Sequence, residues 1–165
     1  MSVAKPLLAA LAAAGLLVAC SSDGENAAAT GGAGAGSGLA GGAGQIRPGS
    51  QEDLAANVGD RVFFDTDRAS IRADQRTVLE RQARWMQQNA QVQVTVEGHA
   101  DERGTREYNL ALGQRRANAA RDVLVASGVS GARVQTISYG KDRPDALGST
   151  EQAWAQNRRA VTVVR

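Results

Sequence analysis

The stretch that decides the fold is residues 97–117, which read E-G-H-A-D-E-R-G-T-R-E-Y-N-L-A-L-G-Q-R-R-A. The stretch begins at the last residue of an alternating apolar run and ends inside a helical pattern. Between these two patterns lie a histidine, several carboxylates and arginines, and an asparagine. A strand that ends in a charged loop, followed by a helix with charge on one flank, predicts a polar pocket.

The chain before this stretch predicts a strand, a helix and a second strand. Residues 61–65 are a predicted short strand around Val62, Phe63 and Phe64, and the polar residues 65–67 stop it. Asp74 is the predicted N-cap of a helix that runs to Asn89, because a carboxylate can accept hydrogen bonds from the first free amides of a helix. Residues 91–97 alternate between valine and polar side chains, which predicts a strand with one buried face.

The chain after residue 104 predicts a long helix with a stripe of small residues. Thr105 is its predicted N-cap, and Ser127-Gly128 marks its end. Apolar residues recur at spacings of three and four, and most of them are small, which favours close packing of the helix on a sheet. The stripe consists of Leu110, Gly113, Ala117, Ala120 and Leu124.

The remaining predicted elements complete one sheet. Residues 133–139 are a predicted strand, Thr150 is the predicted N-cap of a short helix to Asn157, and residues 159–164 are the predicted last strand. The order βαβαβ(α)β predicts an α/β fold. We expect a two-layer sandwich in which two main helices cover one face of a single mixed sheet.

Residues 1–19 predict an export signal. Lys5 precedes a nearly continuous run of Leu, Ala and Val, which is shorter than the about 20 residues of a membrane span but typical of a signal peptide. Small residues directly before Cys20 are typical of a lipoprotein signal. We expect cleavage before Cys20, acylation of this residue with chains such as palmitate and, because Ser21 follows, sorting to the outer membrane. The alternative is an ordinary signal with an incidental cysteine.

Residues 20–56 predict a flexible tether, and residues 57–165 a folded domain. The tether is rich in Gly, Ala and Ser, so it has little apolar surface to offset the entropy of ordering. Its end-to-end distance would average about 30 Å. The sequence has 19 Lys and Arg against 17 Asp and Glu and no basic block, which argues against nucleic-acid binding.

Catalysis is disfavoured at the polar loop. The sequence has one Cys and one His, which argues against a metal cluster or an intramolecular disulfide, and we expect no cofactor. Nearby arginines lower carboxylate pKa values, whereas a general acid needs a raised pKa. We interpret His99 as structural. Glycoside hydrolysis would need a carboxylate pair, and the candidates are Asp65, Asp67, Asp101 and Glu102.

Binding suits the same residues better. Asn109 and Arg116 are seven residues apart, so they point nearly the same way from the long helix, on the flank of its stripe and within reach of solvent. Asp101 lies just before that helix. A carboxylate that faces an arginine suits a ligand with both an ammonium and a carboxylate group. The spacing is equally compatible with an internal Asp101–Arg116 salt bridge that only orders the loop.

A set of motifs spans nearly all of the predicted domain. They are Val62-Phe63-Phe64-Asp65, the G-H-A-D-E-R-G run of residues 98–104, Tyr108-Asn109, Arg115-Arg116-Ala117, Ser138-Tyr139-Gly140 with Pro144, and Asn157-Arg158-Arg159. With these motifs, residues 60–165 resemble the OmpA-like peptidoglycan-binding domain family, and the central run is the most specific. The resemblance implies the fold of the OmpA C-terminal domain and a function in binding rather than catalysis.

The resemblance also implies a ligand, the peptide stem of peptidoglycan held at meso-diaminopimelate. Asp101 matches the family aspartate that binds the ammonium group, and Arg116 matches the arginine that binds the carboxylate. Asn109, Asp65 and Arg158 match positions that line or brace the pocket. The resemblance therefore favours a ligand site over the internal salt bridge.

The resemblance finally implies cellular partners. Ala100 stands where many family members have threonine, and alanine is common in the lipid-anchored members that bind TolB and work with other Tol proteins in envelope constriction and cell division. We expect an outer-membrane lipoprotein whose periplasmic domain links that membrane to peptidoglycan. The alternatives are a wall-anchoring lipoprotein outside the Tol system and, less favoured, a murein hydrolase.

Overall fold

The computed structural model describes residues 46–165. The predicted signal peptide, Cys20 and most of the predicted tether lie outside the described residues. Within the described part of the chain, no helix is both long and apolar enough to cross a membrane.

Four strands form one mixed sheet. They are β1 (Arg61–Phe63), β2 (Val94–His99), β3 (Val134–Gly140) and β4 (Arg159–Val164), and their order across the sheet is β1-β4-β2-β3. β2 and β3 are parallel, whereas β4 is antiparallel to both β1 and β2. The last strand of the chain therefore lies inside the sheet, between the first two.

Helices occupy the connections between the strands. α1 (Gln51–Asp53) continues into a π-helical turn at Leu54–Val58, and α2 (Ala73–Gln88) connects β1 to β2. α3 (Arg106–Ala126) and a short 3-10 turn connect β2 to β3, and α4 (Glu151–Asn157) precedes β4. α3 packs on β2, β3 and β4, and α2 packs on α3 and β1. The predicted α/β fold with one mixed sheet is confirmed.

The hydrophobic core lies between the sheet and the two long helices. Val94 and Val96 of β2 are fully buried there with Leu79 and Met86 of α2 and Leu124 of α3. Each such aliphatic side chain contributes about 1.5–3 kcal/mol relative to an exposed position. The alternation predicted for residues 91–97 is confirmed over residues 94–97, where the valines are buried and the polar residues between them are partly buried. The strand begins at Val94, so the partly buried Val92 precedes it.

Two predicted helix caps are confirmed and one is wrong. The hydroxyl of Thr105 accepts a hydrogen bond from the amide of Tyr108, and Thr150 caps α4 in the same way. Asp74, by contrast, lies in the first turn of α2, whose N-cap is Arg72. The Asp74 carboxylate binds the guanidinium of Arg72 at 2.7 Å, which takes it away from the backbone amides of the helix.

The folded part of the chain begins before the predicted boundary at residue 57. Leu54 is fully buried in the core, although it falls in the predicted tether. Gln51 adds two hydrogen bonds to β4, because its side-chain oxygen accepts from the amide of Val164 and its nitrogen donates to the carbonyl of Thr162. The assignment of residues 51–56 to the tether is therefore corrected.

The closest approach between α3 and the sheet is a crossing of two glycines. A Cβ atom on Gly98 of β2 would overlap the carbonyl oxygen of Gly113 in α3. A Cβ atom on Gly113 would overlap the hydroxyl of Ser138 in β3 and lie 2.8 Å from the carbonyl oxygen of Gly98. The Ser138 hydroxyl also donates to the carbonyl of Leu110 at 2.7 Å. The small residues predicted for this helix face thus let the backbone of α3 contact the backbone of β2.

We predict that Gly113→Ala lowers the free energy of unfolding by about 3 kcal/mol, because the added methyl group overpacks this crossing. The expected change has the opposite sign to the ordinary effect, since Gly→Ala at an exposed helix position stabilises the fold by about 1 kcal/mol. Urea denaturation measures the change. Gly131→Ala is the control, because its Cβ would meet the flexible tip of Arg121 at 3.0 Å and a methyl group of Val125 at an ordinary contact distance of 3.8 Å. An unchanged or raised stability for Gly113→Ala would show that the helix has room to move away.

Candidate functional site

A cavity of about 300 Å³ opens where β2 ends and α3 begins. The chain leaves β2 through Ala100, whose amide still donates to the carbonyl of Gly140 at 2.8 Å. It then turns into α3 at Gly104, which has a positive φ of 90° that favours glycine. The cavity is lined by Thr66, Asp67, Asp101, Arg103, Gly104, Tyr108, Asn109, Leu112 and Arg116.

Asp101 supplies a buried negative charge in the cavity, with 7% exposure. Its Oδ2 lies 2.7 Å from Nη2 of Arg103 and 3.4 Å from Nη1 of Arg158. Its Oδ1 accepts from Nε and from the backbone amide of Arg103. Burial alone would raise the pKa of the Asp101 carboxyl, but the hydrogen bonds from Arg103 outweigh it and keep the pKa below its ordinary value. Asp101 is therefore ionised at neutral pH.

Arg116 supplies the positive charge and is completely buried. Its guanidinium donates to three backbone carbonyls, those of Arg68 at 2.8 Å, His99 at 2.8 Å and Asp65 at 3.1 Å. Within the described residues, no carboxylate oxygen lies within 4.0 Å of it. Burial lowers the pKa of Arg116 to about 10, so the group keeps its charge at neutral pH.

Asn109 lies in the same cavity, one turn into α3, and is 1% exposed. Its side-chain nitrogen donates to the carbonyl of Arg103 at 2.8 Å, which holds the loop that carries Asp101 against the helix. The expectation that Asn109 and Arg116 reach solvent is wrong, because both side chains turn inward toward the loops. They nevertheless line one cavity, as their spacing predicts.

Asp65 and Arg158 line a second cavity of about 310 Å³ beside the first. The Asp65 side chain is half exposed and lies 3.7 Å from Arg72, while its backbone carbonyl holds Arg116. Arg158 lines the second cavity and connects it to the first through its contact with Asp101. It binds Asp101, the carbonyl of Phe64 and, at 2.6 Å, the carboxylate of Glu151.

The internal Asp101–Arg116 salt bridge is absent from the described residues, since Asp101 pairs with Arg103 and Arg158 instead. The lowered pKa of Asp101 also fits the expectation that nearby arginines keep its carboxyl unsuited to general-acid chemistry. In residues 46–165, no group of three His, Cys, Asp or Glu side chains is placed to hold a metal ion.

Arg103 lines the cavity and pairs with Asp101, and sequence reasoning did not single it out. Its guanidinium lies over the ring of Trp154 at 4.1 Å, and the indole nitrogen of Trp154 donates to Glu102 at 3.0 Å. Tyr108 also lines the cavity and donates its hydroxyl hydrogen to Asp67. The position of Arg103 two residues after Asp101 was the available signal, but it does not reveal that the side chain folds back onto that carboxylate.

His99 lies on the opposite face of β2 from the buried valines and lines neither cavity. It is 2% exposed, and its ring packs at 5.7 Å from the ring of Tyr139. Its contribution to the site is its backbone carbonyl, which accepts from Arg116. Burial and the nearby charge of Arg159 lower the pKa of His99 to about 4.

Comparison with known proteins places this geometry in a family. The OmpA family matches residues 63–158, a span that begins at the last residue of β1 and includes the polar loop, α3 and Arg158. The chain therefore belongs to the OmpA family.

The chain is similar to proteins named peptidoglycan-associated lipoprotein. It is 62% identical to the one from Mesorhizobium japonicum over 123 residues, which cover 74% of this chain and 73% of the relative. It is 41% identical to the one from Pseudomonas aeruginosa over 155 residues, which cover 92% of each. The crystal structure of the protein of that name from Burkholderia pseudomallei matches 68% of this chain and 100% of its own, with 40% identity and a TM-score of 0.64. The resemblance predicted from the motifs is confirmed.

We predict that stability falls by about 3 kcal/mol as the pH is lowered from about 6.5 to about 4, because His99 must take up its proton against burial. The folded pKa lies below the unfolded pKa, so the unfolded chain binds the proton first. This stability is fully present above pH 6.5 and is lost progressively below it. Urea denaturation at several pH values measures the slope.

The sequence has one histidine, so the slope between pH 6.5 and 5 can be assigned to His99. His99→Phe keeps a ring beside Tyr139, and His99→Gln keeps a polar group without a titrating proton. Both variants should give a flat profile in this window, whatever their stability at pH 7.5. A wild-type slope that both variants retain would assign the proton uptake to another group.

Proposed function

We propose that the cavity between β2 and α3 binds the peptide stem of peptidoglycan at diaminopimelate. Asp101 binds the free ammonium group of that residue, and Arg116 binds the adjacent carboxylate. The observation that carries the proposal is a buried guanidinium with no carboxylate partner among the described residues, placed in the same small cavity as a buried carboxylate. A buried charge without a counter-charge is costly unless a ligand supplies one.

The geometry of Arg116 supports an anionic ligand. Three of its N–H groups donate to backbone carbonyls, which fixes the plane of the guanidinium. A guanidinium has five N–H groups, so two of them are free for a carboxylate that enters the cavity. A fixed fork of this kind binds a planar carboxylate with little loss of conformational entropy.

The other predicted site residues have supporting functions in this proposal. Asn109 holds the loop at the carbonyl of Arg103, and Arg158 holds the carboxylate of Asp101. Asp65 acts through its backbone carbonyl on Arg116, and its side chain lines the neighbouring cavity. The ligand therefore contacts Asp101 and Arg116 directly, and the other three residues hold these two in place.

The cellular function that we infer is a reversible link between outer membrane and cell wall. The names of the relatives, which describe peptidoglycan-associated lipoproteins and not enzymes, support it. Acylation at Cys20 would hold the outer membrane, residues 20–50 would bridge the gap, and the periplasmic domain would bind the wall without cleaving it. TolB and the other Tol proteins are the proposed partners in envelope constriction during cell division. The alternative is wall anchoring outside the Tol system.

We predict that Asp101→Asn lowers sedimentation of the full-length protein with purified sacculi by at least tenfold, since one charged hydrogen bond contributes about 1.5–3 kcal/mol. Arg116→Lys should lose a similar amount, because an ammonium cannot reproduce the fork. Asp142→Asn is the matched control, since Asp142 also pairs with an arginine but lies outside the cavity. Equal sedimentation of all four proteins would place the binding site elsewhere.

The chemistry of the stem supplies an independent check on the same proposal. Sacculi that carry lysine in place of diaminopimelate have the ammonium group but lack the adjacent carboxylate. They should bind the wild-type protein far more weakly, because Arg116 would be left without its anionic partner. Equal binding to both kinds of sacculi would contradict the assignment of Arg116 to a carboxylate.

We predict that purified TolB binds the full-length protein and reduces its sedimentation with sacculi. Competition is expected because the resemblance assigns both ligands to one domain. Sedimentation with increasing TolB measures it, with Asp101→Asn as a control for TolB binding that does not depend on the wall. No interaction with TolB would favour the alternative of a wall-anchoring lipoprotein outside the Tol system.

A further inference from the structure

We propose that Arg103 is an internal competitor for Asp101, which a ligand's ammonium group must displace to bind. The inference rests on the proposed function and adds a specificity-determining residue to it. In the structure, both oxygens of Asp101 already accept from the guanidinium of Arg103, Oδ2 from Nη2 at 2.7 Å and Oδ1 from Nε at 3.2 Å. This bidentate pairing occupies the positions that an ammonium group would take.

The two arginines on Asp101 differ in how firmly they are held. Arg158 is 7% exposed in its side chain and is fixed by the carbonyl of Phe64 and the carboxylate of Glu151. The side chain of Arg103 is 39% exposed. Among residues 46–165, its guanidinium otherwise makes one side-chain hydrogen bond, to the hydroxyl of Thr66 at 3.5 Å, and lies over the ring of Trp154. Arg103 can therefore leave while Arg158 stays.

Displacement of Arg103 from Asp101 leaves neither side chain without an oppositely charged neighbour. When Arg103 moves away, Asp101 keeps Arg158 and gains the ammonium group of the ligand. The released guanidinium remains beside other acidic groups, since Glu151 and Glu102 add to the effect of the Asp101 hydrogen bonds in raising the pKa of Arg103. Arg103 thus exchanges one set of carboxylates for another at the mouth of the cavity.

This exchange determines which ligands bind well. A ligand with an ammonium group alone replaces one ion pair with another and gains only the difference in free energy between the two pairs. A ligand whose carboxylate also reaches Arg116 gains a second, uncontested ion pair, because the described residues offer Arg116 no competing carboxylate. Arg103 therefore selects for a zwitterionic end group over simple amines, which are abundant on other molecules.

The test is titration calorimetry of the full-length protein with the tripeptide L-Ala-γ-D-Glu-meso-diaminopimelate. Arg103→Ala should lower the Kd by about two- to fivefold, as expected for removal of a partly exposed ion pair. Arg106→Ala is the matched control, because Arg106 also pairs with a carboxylate but lies outside the cavity. Its Kd should equal that of the wild type.

A second ligand separates competition from a general change in charge. The same tripeptide with its distal amine acetylated cannot displace Arg103, so Arg103→Ala should give no gain with it. The indole N–H resonance of Trp154 adds a structural readout. It should shift when the wild-type protein binds the free-amine tripeptide, because Arg103 leaves the ring, and should shift much less in Arg103→Ala.

The outcomes distinguish this inference from the function on which it rests. If the wild type binds and Asp101→Asn does not, but Arg103→Ala binds equally or more weakly than the wild type, Arg103 is a bystander or a ligand contact and the competitor role is overturned. A wild-type Trp154 resonance that does not move on binding overturns it as well. If the wild type and Asp101→Asn bind the tripeptide equally, or neither binds, the proposed function fails and the competitor role fails with it.

Discussion

The approach of α3 to the sheet at Gly98 and Gly113 is the constraint on which the rest of the site depends. Backbone contact at this point sets the distance of the helix from β2 and β3. Arg116 lies three residues further along α3, so the same contact brings its guanidinium level with the loops that follow β1 and β2. A helix held further out by side chains would not let Arg116 reach three carbonyls at once.

The guanidinium of Arg116 has both a structural role, in holding loops, and the proposed role of binding the ligand. Its three carbonyl partners come from the loop between β1 and α2 and from the end of β2, so it fixes the walls of the cavity as it supplies their charge. Guanidinium suits both tasks, since its donors point in several fixed directions and its charge is not lost on burial. Substitution of this residue therefore changes loop geometry as well as binding, which makes Asp101 the cleaner probe of the ligand.

Local patterns in the sequence predicted much of the fold. The spacing of small residues in α3, the Thr105 cap and the alternation in β2 are each set by residues within a few positions of one another. The turn at Leu54 could not be predicted in this way, because Gln51 is held by Thr162 and Val164, more than 100 residues away. The wrong cap at Asp74 has a local cause, the competing guanidinium of Arg72.

In the site, too, the features set by residues close in sequence could be predicted, and those set by long-range packing could not. Helical spacing and the family motif together predicted that Asp101, Asn109 and Arg116 lie close to one another. All three line one cavity in the structure. The separate cavity at Asp65 could not be predicted, because it depends on how the β1 loop packs against α4. Nor could the pairing of Asp101 with Arg103, since a flexible arginine two residues away can turn toward the carboxylate or toward solvent.

A charge-exchanging cavity is suited to a link that must release. In the proposed function, ligand binding trades the Asp101–Arg103 pair for an Asp101–ammonium pair, so only the contact at Arg116 adds a new ion pair. The net affinity of one domain for one stem is then modest, although each contact is strong. Under the same proposal, the wall would present many stems and the outer membrane many tethered copies, so attachment would arise from their number. Each copy would then release its stem and rebind as the envelope constricts.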